Sequence, residues 1–378
     1  MMQRQSKIVF LVVVSLFGAT FGIYEILIPF YLQNQGITFP RMGDIFAVSF
    51  LFAFLMRQYA GYLSDLFGRK PFFSAALFLC GISNFCTPLF KTASAQAFLK
   101  SLREGAFGVK DTMQAVILYE GSEKDFLNAY GKVRGTEWIF QALGILLAGI
   151  IATRFSLRSA FFTSGYILFF SAIIFAGFFP AVVRNAQKQR LGIREIFSFD
   201  LTGQLRSLTF IWFVINISSG ISHGPTLPLF FQHRFGMSLA AITVVMFMHR
   251  LACGMPMLLA GRVKGTPLKS VYILFLTVGG LSLIATPFIP RASWAIPVWL
   301  AHDLVGAGIW VPIHNYLTQK FAGEDIRGLS VAKSFAYASL GMVLGFFLSG
   351  YLYAWDIGMP FIFSGVIALI AGILLVRF

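Results

Sequence analysis

Long apolar stretches alternate along the chain with short polar turns. A membrane span takes about 20 predominantly apolar residues, and by that measure the pattern predicts twelve: 8–33, 43–62, 71–91, 95–118, 130–152, 158–180, 207–232, 238–261, 268–289, 294–318, 328–353 and 358–376. The fourth carries five charges, Lys100, Arg103, Glu104, Lys110 and Asp111. It is retained because the alternation of sides fails without it. The longest connection, 181–206, holds Arg184, Lys188, Arg190, Arg194 and Arg206 against Glu195 and Asp200. The reading is an all-α polytopic membrane protein of twelve helices in two six-helix bundles, 1–180 and 207–378, joined by a linker at 181–206. That linker is either a surface-lying amphipathic piece or a plain solvated connection.

Composition supports this reading. Hydrophobic residues make up 57% of the 378 and charged ones 12%, where soluble domains carry about 25% charge. A net charge of +15 raises the question of nucleic acid, but its distribution answers it. On alternating sides, and counting residues at span ends with the adjoining turn, 18 Lys/Arg fall on one side, 6 on the other and 6 deeper within spans. That bias marks the richer side as cytoplasmic and puts both termini there, with a small share left for anionic lipid. Cys80, Cys86 and Cys253 sit in apolar runs without metal-ligand spacing and read as small buried hydrophobes. The first run, after Arg4 and Lys7, is too long for a secretory signal and has no small-residue cleavage site.

The turn after the second run is the most distinctive stretch: Gly61, Asp65, Gly68, Arg69 and Lys70. Gly61 allows close helix approach, and Gly68 allows a turn that needs positive φ. Asp65, at a helix end, is suited to pair with a cation or to accept from a neighbouring helix N-terminus. This stretch resembles the signature loop of the major facilitator superfamily between its second and third spans, departing at Leu66 and Pro71, where a basic residue is common. The resemblance implies a secondary transporter with two parallel six-span repeats, alternating access, and a central cavity lined by spans one, four, seven and ten.

Two further resemblances follow. Arg103, Gly105 and Gly108 are similar to a fourth-span family motif of an arginine and spaced glycines, which implies a proton-relay role for Arg103, shared with or replaced by Lys110. Gly144 to Gly149 resembles a fifth-span motif of exporters but lacks its proline. Internal repetition is also visible: Arg134-Gly135 followed by Gly144 is echoed by Arg327-Gly328 followed by Gly341, and Ala60-Gly61 by Ala260-Gly261 near Arg262, Lys264 and Lys269. Gly18 with Gly22, and Gly341 with Gly345, have the spacing of tight helix crossings.

Charges within spans cost roughly 2.5–3.5 kcal/mol each on insertion scales and so mark cavities or partners. Span one aligns Ser15, Gly18, Gly22, Glu25 and Pro29 on one face; span four aligns Lys100, Arg103, Phe107, Lys110 and Gln114; span seven Asn216, Ser219, Gly220 and His223; span ten Asp303, Gly306, Trp310 and His314. At about 1.5 Å per residue, Glu25, Arg103, His223 and Asp303 share a depth of roughly 12–14 Å below the outer boundary. They are expected to border one polar site, with Lys110 deeper and Trp310 and Phe107 as an aromatic wall. Glu25 is the candidate proton carrier and Arg103 its counter-charge, or an anchor for an anionic substrate group. Arg57, Glu137 and Lys333 lie about 7–11 Å from the cytoplasmic boundary and, with Asp65 and Arg69, are expected to form an inner gate of exchangeable ion pairs.

The sequence holds no phosphate-binding P-loop, no paired histidine ligands and no Gly-x-Ser-x-Gly elbow, so neither enzyme, cofactor nor metal is expected. The leading expectation is proton-coupled efflux of a small amphiphilic or organic-ion solute by a monomer in the plasma (inner) membrane. An uptake permease for an organic anion is the alternative, and a transport-inactive scaffold or sensor stands in a different class.

Overall fold

The computed structural model describes residues 4–121, 123–180, 192–201, 203–263, 267–304, 308–323 and 326–377. Among them the regular elements are all helical. α1 (Arg4–Asn34), α2 (Phe39–Phe67), α3 (Arg69–Cys86), α4 (Ala93–Gly121), α5 (Phe126–Arg154) and α6 (Leu157–Phe178) follow the first six expected spans. A short α7 (Ile193–Ile196) precedes α8 (Gly203–Ser222), α9 (Leu227–Phe235), α10 (Leu239–Met257), α11 (Leu268–Ala285), α12 (Ala292–His302), α13 (Gly308–Phe321), α14 (Arg327–Trp355) and α15 (Met359–Val376). The linker residues Arg184, Lys188 and Arg190, with Lys264 and Gly306, lie outside the described residues.

Ten helical stretches among the described residues are long and apolar enough to cross a membrane. The expected fourth span is one continuous helix of 29 residues, α4, kept off that standard by its charges. The expected tenth is described in two pieces, α12 and α13. The expected seventh is broken at 223–226 between α8 and α9. Pro225 explains that break, because it lacks an N–H and pushes the residue before it out of helical geometry.

Helix neighbours repeat with a period of six spans. α1 packs on α5 and α6 as α8 packs on α14 and α15, and α3 packs on α6 as α11 packs on α15. The two long contacts between early and late helices, α2 with α14 and α5 with α10, are each other's counterparts in the same scheme. Apolar side chains gain little by leaving lipid for each other, so such crossings rest on close backbone approach. A Cβ on Gly18 or Gly22 would run into the backbone of Glu137 or Gln141 on α5, and one on Gly341 or Gly345 into that of Phe213 or Ile217 on α8. The echoed glycines land at equivalent places: Gly135 against Gly254 in the α5/α10 seam, and Gly328 beside Asp65 and Arg69 in the α2/α14 seam.

The turn between α2 and α3 is built as its residue types require. Gly68 has φ of 87°, a conformation that strains any residue with a side chain. Asp65 pairs with Arg69 at 2.6 Å and accepts from the backbone N–H groups of Gly328 at 3.3 Å and Leu329 at 2.9 Å. Ile326, before α14, provides no side-chain cap. The carboxylate of Asp65 therefore caps the N-terminus of α14 from a helix 263 positions earlier, where the helix dipole also favours negative charge. Arg69 further bonds Ser64 Oγ at 2.7 Å and Glu120 at 3.0 Å, and half-buried Lys70 follows it in the first turn of α3.

Candidate functional site

A cavity of about 310 Å³ lies between the early and late helices, at the lower end of the range for small-molecule pockets. Its apolar wall includes Phe21, Phe107, Trp138 and Trp310. Trp310 stands edge-on to Trp212 at 4.9 Å, and Phe107 stacks on Phe17 at 6.0 Å. Most of the charged and histidine groups at or beside it fall into three sets.

The first set joins α1 to α4. Glu25 Oε1 accepts from Arg103 Nη1 at 2.7 Å and lies 3.6 Å from Lys100 Nζ. Glu104 takes a bond of 2.8 Å from each of the same two cations. Arg103 also donates to Asn84 Oδ1 at 3.1 Å and lies 3.9 Å over the ring of Tyr24. Two cations thus meet two carboxylates in a group without net charge. Lys100, Arg103 and Glu104 are at most 3% exposed, whereas the Glu25 side chain is 23% exposed and lines the cavity.

The second set joins α4 to α5. Glu137 accepts from Lys110 at 2.8 Å, Gln114 at 2.8 Å and Arg134 at 3.0 Å, while Arg134 also donates to Asp111 at 2.7 Å. Lys110 and Glu137 are fully buried. Asp111 and Arg134 line the cavity.

The third set lies among the late helices, beside the break after α8 and at the end of α12. His223 follows α8, His302 ends α12 and Asp303 is the next residue, while His249 comes from α10. His223 Nε2 and His302 Nε2 are 3.1 Å apart, His302 Nε2 is 3.2 Å from Asp303 Oδ1, and His249 Nδ1 bonds Asp303 Oδ2. Cys253 Sγ bonds Asp303 Oδ1 at 2.9 Å. His223, His302, Asp303 and Arg250 all line the cavity.

Of the residues expected at one depth, Glu25 and Arg103 are brought into contact, and His223 and Asp303 gather in a separate cluster on the same cavity. Lys110 is deeper among the side chains and does not line it. Of the expected gate residues, Asp65 and Arg69 pair with each other, while Arg57, Glu137 and Lys333 each bond other partners. Arg57 donates to the carbonyl of Phe335 on α14 at 3.3 Å. Glu137 belongs to the second set. Lys333 bonds Asp200 at 2.5 Å, Ser198 Oγ at 3.1 Å and the carbonyl of Glu195 at 2.7 Å, which fastens the end of the linker to α14. Burial pushes the Asp200 carboxyl up, but the Lys333 ammonium and the Ser198 hydroxyl outweigh it and hold it below its ordinary range. His249, His302 and Arg250 escaped sequence reasoning. Their signal was available, since histidines and an arginine inside apolar runs are as conspicuous as Glu25.

Two sets of known proteins resemble this chain. Multidrug resistance protein 2 of Bacillus subtilis is 24% identical over 97% of the chain and 94% of its own length. Multidrug resistance protein MdtG of Enterobacter lignolyticus is 24% identical over 87% and 81%. Among solved structures, the human organic anion transporter MFSD10 superposes with a TM-score of 0.75 at 16% identity, covering 99% of this chain and 100% of that one. The nucleoside transporter NupG superposes with a TM-score of 0.70 at 11% identity, covering 98% of each. The family model of the Major Facilitator Superfamily matches residues 10–337. With the Gly61 to Lys70 turn capping α14 and the helix neighbours repeating by six spans, the chain belongs to the Major Facilitator Superfamily.

Proposed function

We propose that this chain exports small amphiphilic or organic-ion solutes in exchange for protons, by alternating access between bundles 1–180 and 207–378. It acts as a monomer in the plasma membrane, with both termini cytoplasmic and no chemical conversion of its cargo. One observation carries the reading: Glu25 is the most exposed member of a charge-balanced group, and it faces an aromatic-walled cavity. A proton arriving at Glu25 removes its charge and leaves Arg103 and Lys100 bonded to Glu104. The fold tolerates that change, while the charge presented to cargo becomes more positive by one. A protonated site then disfavours a cationic solute that the deprotonated site accepts, which is the competition that proton-for-solute exchange requires.

The names of the multidrug resistance relatives support export. Uptake of an organic anion is less well supported, because Arg103 and Lys110 are both engaged by carboxylates. The test is proton movement in reconstituted vesicles on adding cationic, anionic and neutral compounds, with wild type beside Glu25→Gln. A substrate-triggered proton signal in the wild type that the variant loses, with cargo still bound, is the expected result. An equal signal in both removes Glu25 as the carrier. No flux from either, across the whole panel, favours the scaffold reading.

A further inference from the structure

The histidine cluster carries an inference of its own, from a count of its protons. The ring of His302 bonds the backbone carbonyl of Trp299 through Nδ1. A carbonyl only accepts, so the proton of that ring is on Nδ1 and its Nε2 bears a lone pair. Ser222 donates its hydroxyl proton to the carbonyl of Ser218 at 3.1 Å. The same hydroxyl is 2.8 Å from His223 Nδ1; in the tautomer in which it accepts there, the His223 proton is on Nδ1 and its Nε2 bears a lone pair. The two Nε2 atoms face each other at 3.1 Å, with an oxygen of Asp303 at 3.2 Å from the second. In that tautomer three acceptors converge and their own protons point away.

Buried acceptors facing one another are unfavourable unless a cation lies among them. The separations fit a particular kind. With metal–nitrogen bonds of about 2.0–2.1 Å, two ligands of a tetrahedral zinc ion stand roughly 3.3 Å apart. The ligand atoms of His223, His249, His302 and Asp303 all lie within 4.8 Å of one another. In His223 and His302 the ring nitrogen turned away from the centre is held by a hydroxyl or a carbonyl, the outer-shell arrangement that orients metal-binding imidazoles. His249 and Cys253 hold the carboxylate of Asp303, and His249 Nε2 is buried without a hydrogen-bond partner. Imidazole nitrogens select zinc, cobalt, nickel or copper rather than magnesium or calcium, which prefer oxygen.

We propose that His223, His302 and Asp303 bind one divalent transition-metal ion of the zinc class in the wall of the cavity. His249 and Cys253 position the carboxylate, and the fourth coordination place is left to water or to cargo. Entry is from the cavity, which all three ligands line. No flux is needed for this site to exist, so it stands or falls apart from the export reading.

The experiment uses the full chain in detergent, purified without a polyhistidine tag, stripped with chelator and titrated with Co²⁺, whose visible absorption reports four-coordinate binding. One equivalent of cobalt, displaced by Zn²⁺, is expected. His223→Gln and His302→Gln should each weaken binding by more than the 10- to 100-fold that outer-shell changes typically cost. Ser222→Ala should fall at about 10-fold, and His233→Ala, outside the cluster, should bind as wild type. Gel filtration and thermal unfolding confirm that each variant is folded. Folded wild-type protein that takes up no cobalt overturns the metal assignment and leaves a proton as the cation between the rings. Binding that survives both ligand substitutions also overturns it, because the ion then sits elsewhere.

Discussion

Glu137 and Lys110 show what a buried charge costs when its partner is removed. Both are fully buried, and they meet at 2.8 Å. Glu137→Gln leaves the Lys110 ammonium without its carboxylate, a change that typically costs about 3–5 kcal/mol, whereas replacing both members of such a pair is often close to neutral. Thermal unfolding in detergent should therefore show a large drop for Glu137→Gln and recovery of most of it in Lys110→Met/Glu137→Gln. Equal loss in the single and the double variant would mean that the pair is not what holds this place together. Sequence depth alone had grouped Glu137 with Arg57 and Lys333. Depth fixes height along a helix but not which neighbour a side chain meets. The meeting of His249 and His302 with the expected His223 was hidden for the same reason: the three lie far apart in the chain, so no spacing announces their contact.

At the scale of elements, the contiguous features were the readable ones. The Gly61 to Lys70 turn could be understood from residue types because its parts lie within ten positions, and even the capping role of Asp65 was a stated option. The identity of the capped helix, α14, required the fold. Removing that cap in Asp65→Ala should weaken the α2/α14 seam at this end, since side-chain caps are worth about 0.5–2 kcal/mol. A cysteine placed at buried Val331, in a background without the native cysteines, should then react with maleimide about tenfold faster, the factor that 1.4 kcal/mol represents. Unchanged labelling would show that the seam does not open by loss of this cap. Helix breaks were less legible. Pro225 stood within an apolar run that composition read as continuous.

For the molecule as a whole, early and late helices touch at both ends of the cavity. Asp65 caps α14 and Arg327 lies 4.2 Å over Tyr119 at one end; Phe39 meets Tyr353 at 5.1 Å and His233 at 5.8 Å at the other. The proposed alternating access requires these two sets to be released in turn. Their polar and aromatic character suits contacts that must break without exposing large apolar surface. An all-helical membrane protein of this family could be drawn from hydropathy and the Gly61 to Lys70 turn. The partition of charges into three sets could not, because it depends on which helices neighbour which.

The fastening of residues 195–200 to Lys333 bears on covalent continuity. Asp200 is held below the ordinary carboxylate range, so this ion pair contributes above that range and is lost only on strong acidification; it persists at working pH. The α2/α14 and α5/α10 seams join the early to the late helices apart from the peptide between them, and the Lys333 pair keeps the end of the linker on the late helices. Two polypeptides, 1–186 and 187–378, expressed together should find each other and co-purify. Lys333→Ala, by freeing the new N-terminal end of the second fragment, should reduce the recovered complex several-fold. Fragments that fail to associate would show that the linker, rather than the surfaces it joins, holds the two halves as one protein.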